Sequence, residues 1–193
     1  MKKIIAGAAL LFGMAATAVA GPITFDFTGG SGSASSYVFS QGGVDVTATA
    51  SFNGFTRQAD VTRSSNGLGV RNSFLDSSQI DGFVRNDFLT LSFASDVEIL
   101  GFTFGNSDSN DEFDLYLGGS RVVTNASTDD GLLAFAPTTF IGNQFSIRAN
   151  QNNDNFRLAS LNINTIDVPE PGSLALLGLG LAGLGFVRGR QKS

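Results

Sequence analysis

Val44-Asp45-Val46-Thr47-Ala48-Thr49-Ala50 alternates between apolar or small side chains and polar ones without a break. Successive side chains of an extended chain point to opposite faces. This stretch therefore puts Val44, Val46, Ala48 and Ala50 on one side and Asp45, Thr47 and Thr49 on the other, a strand with one buried face. Working outward, Ile23-Thr24-Phe25-Asp26-Phe27 repeats the pattern upstream. Downstream follow Phe88 to Phe93, Val97 to Phe104 and Phe113 to Leu117. Further strand candidates are Arg121 to Thr124, Leu132 to Phe135, Phe145 to Ala149, and Phe156 to Val168, the last with apolar Leu158, Leu161, Ile163 and Ile166. Gly-Gly, Asn-Gly, Gly-Asn and Asp-Gly pairs separate these runs, residues that tolerate positive φ or hydrogen-bond their own backbone. The stretch between the two ends sustains no 3.6-residue period. The chain holds eighteen Phe and no Trp, so phenylalanine must fill most large core sites. Many short strands at close spacing predict an all-β fold, an antiparallel β-sandwich or jelly roll, as one domain over residues 21–168. Gly29 to Ser36 is low in complexity and reads as a flexible loop.

Both ends depart from this pattern. Lys2 and Lys3 precede an apolar stretch from Ile4 to Ala16, and Ala18-Val19-Ala20 places small residues where a signal peptidase cuts. This predicts a secretory signal peptide over residues 1–20. Export permits disulfides, yet the chain has no cysteine, so packing and backbone hydrogen bonds must hold the domain. Setting the two ends aside leaves seven basic residues, all arginine, against sixteen acidic ones, a net charge of −9. Such a domain repels phosphate backbones, which argues against a nucleic-acid partner.

At Val168-Pro169-Glu170-Pro171-Gly172 the strand pattern stops, because prolines cannot donate ladder hydrogen bonds. Fourteen apolar or glycine residues follow, Leu174 to Val187, with Leu174, Leu177, Leu179, Leu181, Leu184, Phe186 and Val187 among the bulky members. Arg188, Arg190 and Lys192 close the chain. Apolar all round and flanked by positive charge, the run reads as a short apolar helix anchoring the chain in a membrane. As a helix it would reach about 21 Å, against a hydrocarbon core of about 30 Å.

The tail resembles the PEP-CTERM sorting element of exopolysaccharide-producing Gram-negative bacteria, in its Pro169-Glu170-Pro171, its Leu/Gly span and its basic end, in that order. The resemblance implies an exported protein, held by residues 169–193 in the inner membrane and then processed by an exosortase-type sorting protease. Pro169, Glu170 and Pro171 would be the recognition motif, and the product would end at the cell surface or in the extracellular matrix. The same element occurs on some ice-binding proteins, so it specifies destination rather than activity.

Several chemistries are excluded by composition. With no histidine and no cysteine, Ser-His-Asp and Cys-His nucleophilic sites and the usual zinc ligand sets are absent. Gly178-Leu-Gly-Leu-Ala-Gly183 spells a dinucleotide fingerprint, but it follows Pro-Glu-Pro instead of a strand, and small residues in a membrane span explain it. Two acid-based chemistries survive, paired-carboxylate glycoside hydrolysis and calcium binding. Asn106, Asp108, Asn110, Asp111, Glu112 and Asp114 crowd oxygen-bearing side chains into nine residues. A second oxygen-rich loop, Asn150-Gln-Asn-Asn-Asp-Asn155, could converge with the first if their strands are neighbours. Two solvated Asx-rich turns would explain both loops without a metal, and both readings stand. Gln79-Ile80-Asp81-Gly82 and Asp154 to Leu158 resemble fragments of bacterial carbohydrate-binding jelly rolls; sheet turns with surface Asp–Arg pairs are the simpler account of them. The leading expectation is a non-enzymatic surface or matrix protein. The alternatives are a calcium-assisted carbohydrate-binding module for extracellular polysaccharide and, third, a glycan-degrading enzyme.

Overall fold

The computed structural model describes residues 21–83, 85–129, 132–136 and 139–166, together with Gly178. The expected signal peptide (1–20), the Pro169-Glu170-Pro171 motif, the bulky anchor residues and the basic tail lie outside the described residues. Among the described residues no helix is long and apolar enough to cross a membrane.

The described chain is strand and turn, and every strand pairing is antiparallel. The alternating stretch from Val44 lies in β4 (Val44–Phe52), and its alternation is realised: Val46, Ala48, Ala50 and Phe52 are buried, with more exposed residues between them. Two strands change partners along their length. The nineteen-residue β8 (Asp87–Gly105) pairs through its first half with β4 and β12 (Ile141–Ala149). It is exposed at Ala94, Ser95 and Asp96, then pairs through its second half with β13 (Asn155–Thr165) and β11 (Leu132–Ala134). Similarly β5 (Arg57–Ser64) pairs with β4 at its start and with β6 (Gly67–Arg71) beyond it. Since β6 also meets β13, the order β4–β5–β6–β13–β8 closes on itself as a barrel. Closure removes sheet edges that would otherwise invite pairing with other chains. From β8 the sheet continues through β12 to β9 (Glu112–Leu117) and β10 (Ser120–Ser127).

Phenylalanine fills the interior, as composition demanded. Phe25, Phe27, Phe102, Phe113, Phe145 and Phe156 are fully buried, and Phe104 lies 4.8 Å from Phe113 and 5.2 Å from Phe156, ring centre to ring centre. Rings at these separations gain about 0.5–1.5 kcal/mol per pair beyond the area they bury.

The Gly29–Ser36 stretch departs from its expected flexibility. Gly32–Ala34 forms β2 on β5, and β3 (Ser36–Gln41) lies along β4. The cause is Arg63, which donates to the Gly29 carbonyl at 3.0 Å and lies 5.3 and 5.1 Å from the Tyr37 and Phe39 ring centres. A tertiary cation–π contact orders a segment whose composition alone carries no such signal.

Candidate functional site

Between β6 and β8 the chain leaves the barrel for fifteen residues and pairs with it again through the two-residue β7 (Ile80–Asp81), set against Phe156 and Asn155 of β13. Two glycines allow this close docking. A Cβ at Gly69 would overlap the Ser78 carbonyl oxygen, and one at Gly82 would overlap that of Gln151. Arg157 fastens the segment from below. Its guanidinium is buried and donates to the Ser78 carbonyl, to Thr62 Oγ1 at 3.3 Å and to the Gly67 carbonyl at 3.3 Å. Burial lowers its pKa, a cost that these three acceptors offset.

This docking gathers Asp76, Asp81 and Asp87, with carboxylate oxygens that all lie within 4.8 Å of one another. Asp87 is 0 % exposed and Asp81 6 %. Asp87 accepts from the Asn72 amide at 3.0 Å and from the Asp81 N–H at 3.4 Å; Asp81 accepts from the Ser77 hydroxyl and, at 3.2 Å, from the Phe83 N–H. Burial pushes the Asp87 carboxyl up to about 8, reinforced by the charges of Asp81 and Asp76 and opposed by its two donors. Burial also raises Asp81. Oxygens at this spacing can converge on one hard cation, which takes six to eight of them in the case of calcium.

Beside the carboxylates opens a cavity of about 660 Å³. Asp76, Asp81, Asn72 and Gln79 line one part of it, and Asn152 and Asp154 of the β12–β13 turn, with Asn155 at the start of β13, line another. Leu75, Phe83 and Arg85 also contribute to its lining. Leu75 is 82 % exposed and Phe83 68 %, and Arg85 lies 5.2 Å from the Phe52 ring centre.

The acidic stretch singled out in the sequence lies elsewhere. Asn106, Asp108 and Asn110 are exposed, Asn106 at φ +54°, whereas Asp111 and Asp114 are buried. The two oxygen-rich loops do converge: the Gln151 amide donates to Glu112 at 2.9 Å, and the Asn155 N–H to Asp111 at 2.9 Å. Their buried carboxylates, however, are occupied by the protein's own donors. Asp111 accepts the N–H groups of Asp108 and Asn155, and Asp114 is held by Arg148 at 2.6 Å, Arg121 at 3.2 Å and the Asn125 N–H. Asp154 accepts the N–H groups of Glu112, Asn150 and Gln151. Asp154 and Arg157 are both buried, so they are interior fasteners instead of a surface pair.

The sequence reading missed Asp76 and Asp87. They stand five before and six after Asp81, in a turn-rich run without periodicity, and only docking against β13 brings them together. Asp81 did fall within a fragment that drew notice, Gln79-Ile80-Asp81-Gly82.

Comparison with known proteins bears on the end of the chain. Residues 167–191 match the PEP-CTERM protein-sorting motif. The chain carries a PEP-CTERM sorting signal. It is thus an exported protein, sorted through a C-terminal anchor of the kind that exosortase recognises. No curated protein and no solved structure matches the chain.

Proposed function

We propose that this PEP-CTERM protein is a non-enzymatic component of the cell surface or extracellular matrix. It is held briefly in the inner membrane by the Leu174–Val187 run, cut near Pro169-Glu170-Pro171 by an exosortase-type protease, and left outside as a β-barrel domain. The observation that carries this reading is the sorting motif over residues 167–191. Its test is replacement of Pro169, Glu170 and Pro171 by alanine in a host that has the sorting protease, followed by fractionation and immunoblotting. Full-length protein should accumulate in the inner membrane; normal release of the variant would sink the reading.

A second reading is calcium-assisted binding of extracellular polysaccharide, favoured by the cavity and its three neighbouring carboxylates. Binding is preferred to glycan hydrolysis on geometric grounds. Hydrolysis wants two carboxyl groups flanking the scissile bond at about 5–9.5 Å. Here Asp76 and Asp81 are close neighbours, and Asp154, the other acid lining the cavity, has three backbone N–H groups already on its carboxylate.

A further inference from the structure

The cavity between the Asn72–Arg85 segment and the Asn152–Asn155 turn combines features rarely found together by accident. Its volume of about 660 Å³ falls within the roughly 300–1,000 Å³ of small-ligand sites. Phe83 and Leu75 leave apolar surface in water at its margin, which is unfavourable unless something covers it. Around them stand polar groups with capacity to spare. The Asn152 amide bonds to no described neighbour, and the Arg85 guanidinium makes no ion pair among the described residues. Asp76 accepts from the Asn72 N–H at 2.6 Å and lies against Asp81, and its carboxylate lines the cavity.

We infer that this cavity binds a neutral glycan, with a sugar ring laid on Phe83 and its hydroxyls shared between the Asp76/Asp81 carboxylates and the Asn152 amide. The inference rests on the carbohydrate-binding reading and assigns that reading a site and a ligand class. A pyranose has the matching chemistry. Its C–H face covers an aromatic ring, while each hydroxyl both donates, as carboxylates require, and accepts, as an amide N–H requires. Charge selects among glycans. Asp76, Asp81 and Asp154 line the cavity, Asp87 has a carboxylate oxygen within 4.8 Å of those of Asp76 and Asp81, and Arg85 is the one cation among the described residues that line it. Uronate, sulfated or phosphorylated chains would meet like charge in a partly desolvated site, where repulsion is stronger than in water.

Affinity electrophoresis tests this with the purified full chain in mild detergent, in native gels cast with dextran, galactomannan, xyloglucan or mixed-linkage β-glucan, and with polygalacturonate as the anionic probe. Gels are run in EDTA and in calcium. At least one neutral glycan should retard the protein, and polygalacturonate should not. Phe83→Ala and Asn152→Ala, both at exposed positions, should each weaken retardation about tenfold, the equivalent of one good contact. Phe55→Ala, at a separate groove lined by Thr49, Thr90, Gln144 and Ser146, should leave it unchanged. Retardation by a neutral glycan that survives both Phe83→Ala and Asn152→Ala would overturn the site and keep the carbohydrate-binding reading. Retardation by none of the neutral glycans, or by polygalacturonate alone, would overturn the ligand class; in the first case the carbohydrate-binding reading falls with it. Sorting is read separately by fractionation and is untouched by any of these results.

Discussion

Asp111 and Asp154 cap each other's loops: the Asp111 carboxylate accepts the Asn155 N–H at 2.9 Å, and the Asp154 carboxylate accepts the Glu112 N–H at 3.3 Å. The exchange ties together two turns more than forty positions apart and leaves neither buried acid unsatisfied. Asp154 also accepts from Asn150 and Gln151, so its removal strands three backbone donors. An unsatisfied buried donor costs about 1–3 kcal/mol, and water entering an opened turn recovers part of that. Asp154→Ala should therefore lower the stability of the Gly21–Val168 fragment by about 3 kcal/mol in urea unfolding. Asp154→Asn, which keeps one acceptor oxygen, should cost about half as much. A loss below about 1 kcal/mol in the alanine variant would mean that the lock holds little.

Phe102 gives a cleaner core measurement. It is fully buried, with ring centres of Phe104, Phe113 and Phe135 at 6.1, 6.1 and 5.7 Å. Phe102→Ala should cost about 3–5 kcal/mol, the usual penalty for deleting a buried ring. Phe74, which is almost fully exposed, supplies the control: Phe74→Ala should stay within about 0.5 kcal/mol. Equal losses at both positions would contradict this core.

How much of this was legible in advance depended on whether the signal was periodic. In β4 the alternation of Val46, Ala48 and Ala50 with Thr47 and Thr49 reports burial directly, because the pleat assigns each side chain its face. β5 and β6 escaped notice because their apolar residues are few: Val61 is buried beside the polar Thr62, and Gly67 and Gly69 interrupt Leu68 and Val70. β8 was read as two strands, since the exposed Ala94-Ser95-Asp96 breaks the pattern where the strand changes partners. The convergence of the Asn106 and Asn150 loops was foreseen as a possibility of neighbouring strands, and β9 and β12 are indeed paired. The cavity was not foreseen, because Asp76, Asp81 and Asp87 meet only through the docking of β7 on β13 and the Arg157–Ser78 clasp, contacts without a local signature.

Asp87 gives the domain a pH dependence opposite to that of most buried carboxylates with cationic partners. Its folded pKa is raised to about 8, chiefly by burial, from an ordinary value of 3.8. Between those values the folded state keeps a proton that the unfolded chain has lost. The contribution is therefore fully present below about pH 4 and is lost as pH rises toward 8. The charged groups around it are Asp76 and Asp81, which act in the same direction, and Arg85, which lines the adjoining cavity. Urea midpoints taken from pH 5 to pH 8.5 should fall more steeply for the wild type than for Asp87→Asn. Parallel curves would show that Asp87 titrates at an ordinary value.

Calcium connects that slope to the cavity. Three carboxylates with oxygens within 4.8 Å repel one another when ionised, and a divalent cation among them would offset the repulsion and favour the ionised forms. An ion that binds the folded state alone raises stability by about 2.7 kcal/mol at a hundredfold excess over Kd, which for a domain of this size means a melting shift of at least several degrees. Charge screening would act equally with magnesium or sodium at matched ionic strength, whereas magnesium's demand for octahedral geometry near 2.1 Å makes it a poor substitute in an irregular oxygen cluster. The expected outcome for Gly21–Val168 is a rise in melting temperature in calcium over EDTA that magnesium does not reproduce, together with a flatter pH slope between 5 and 8. Asp76→Asn/Asp81→Asn should abolish both effects. Asp108→Asn/Asp111→Asn should preserve them, because the Asp111 carboxylate already holds the Asp108 and Asn155 N–H groups. A calcium shift lost only in the second pair would move the ion to the Asn106–Asp114 loop. An unchanged melting point in calcium would leave both acidic groups without an ion and remove the calcium from the carbohydrate-binding reading.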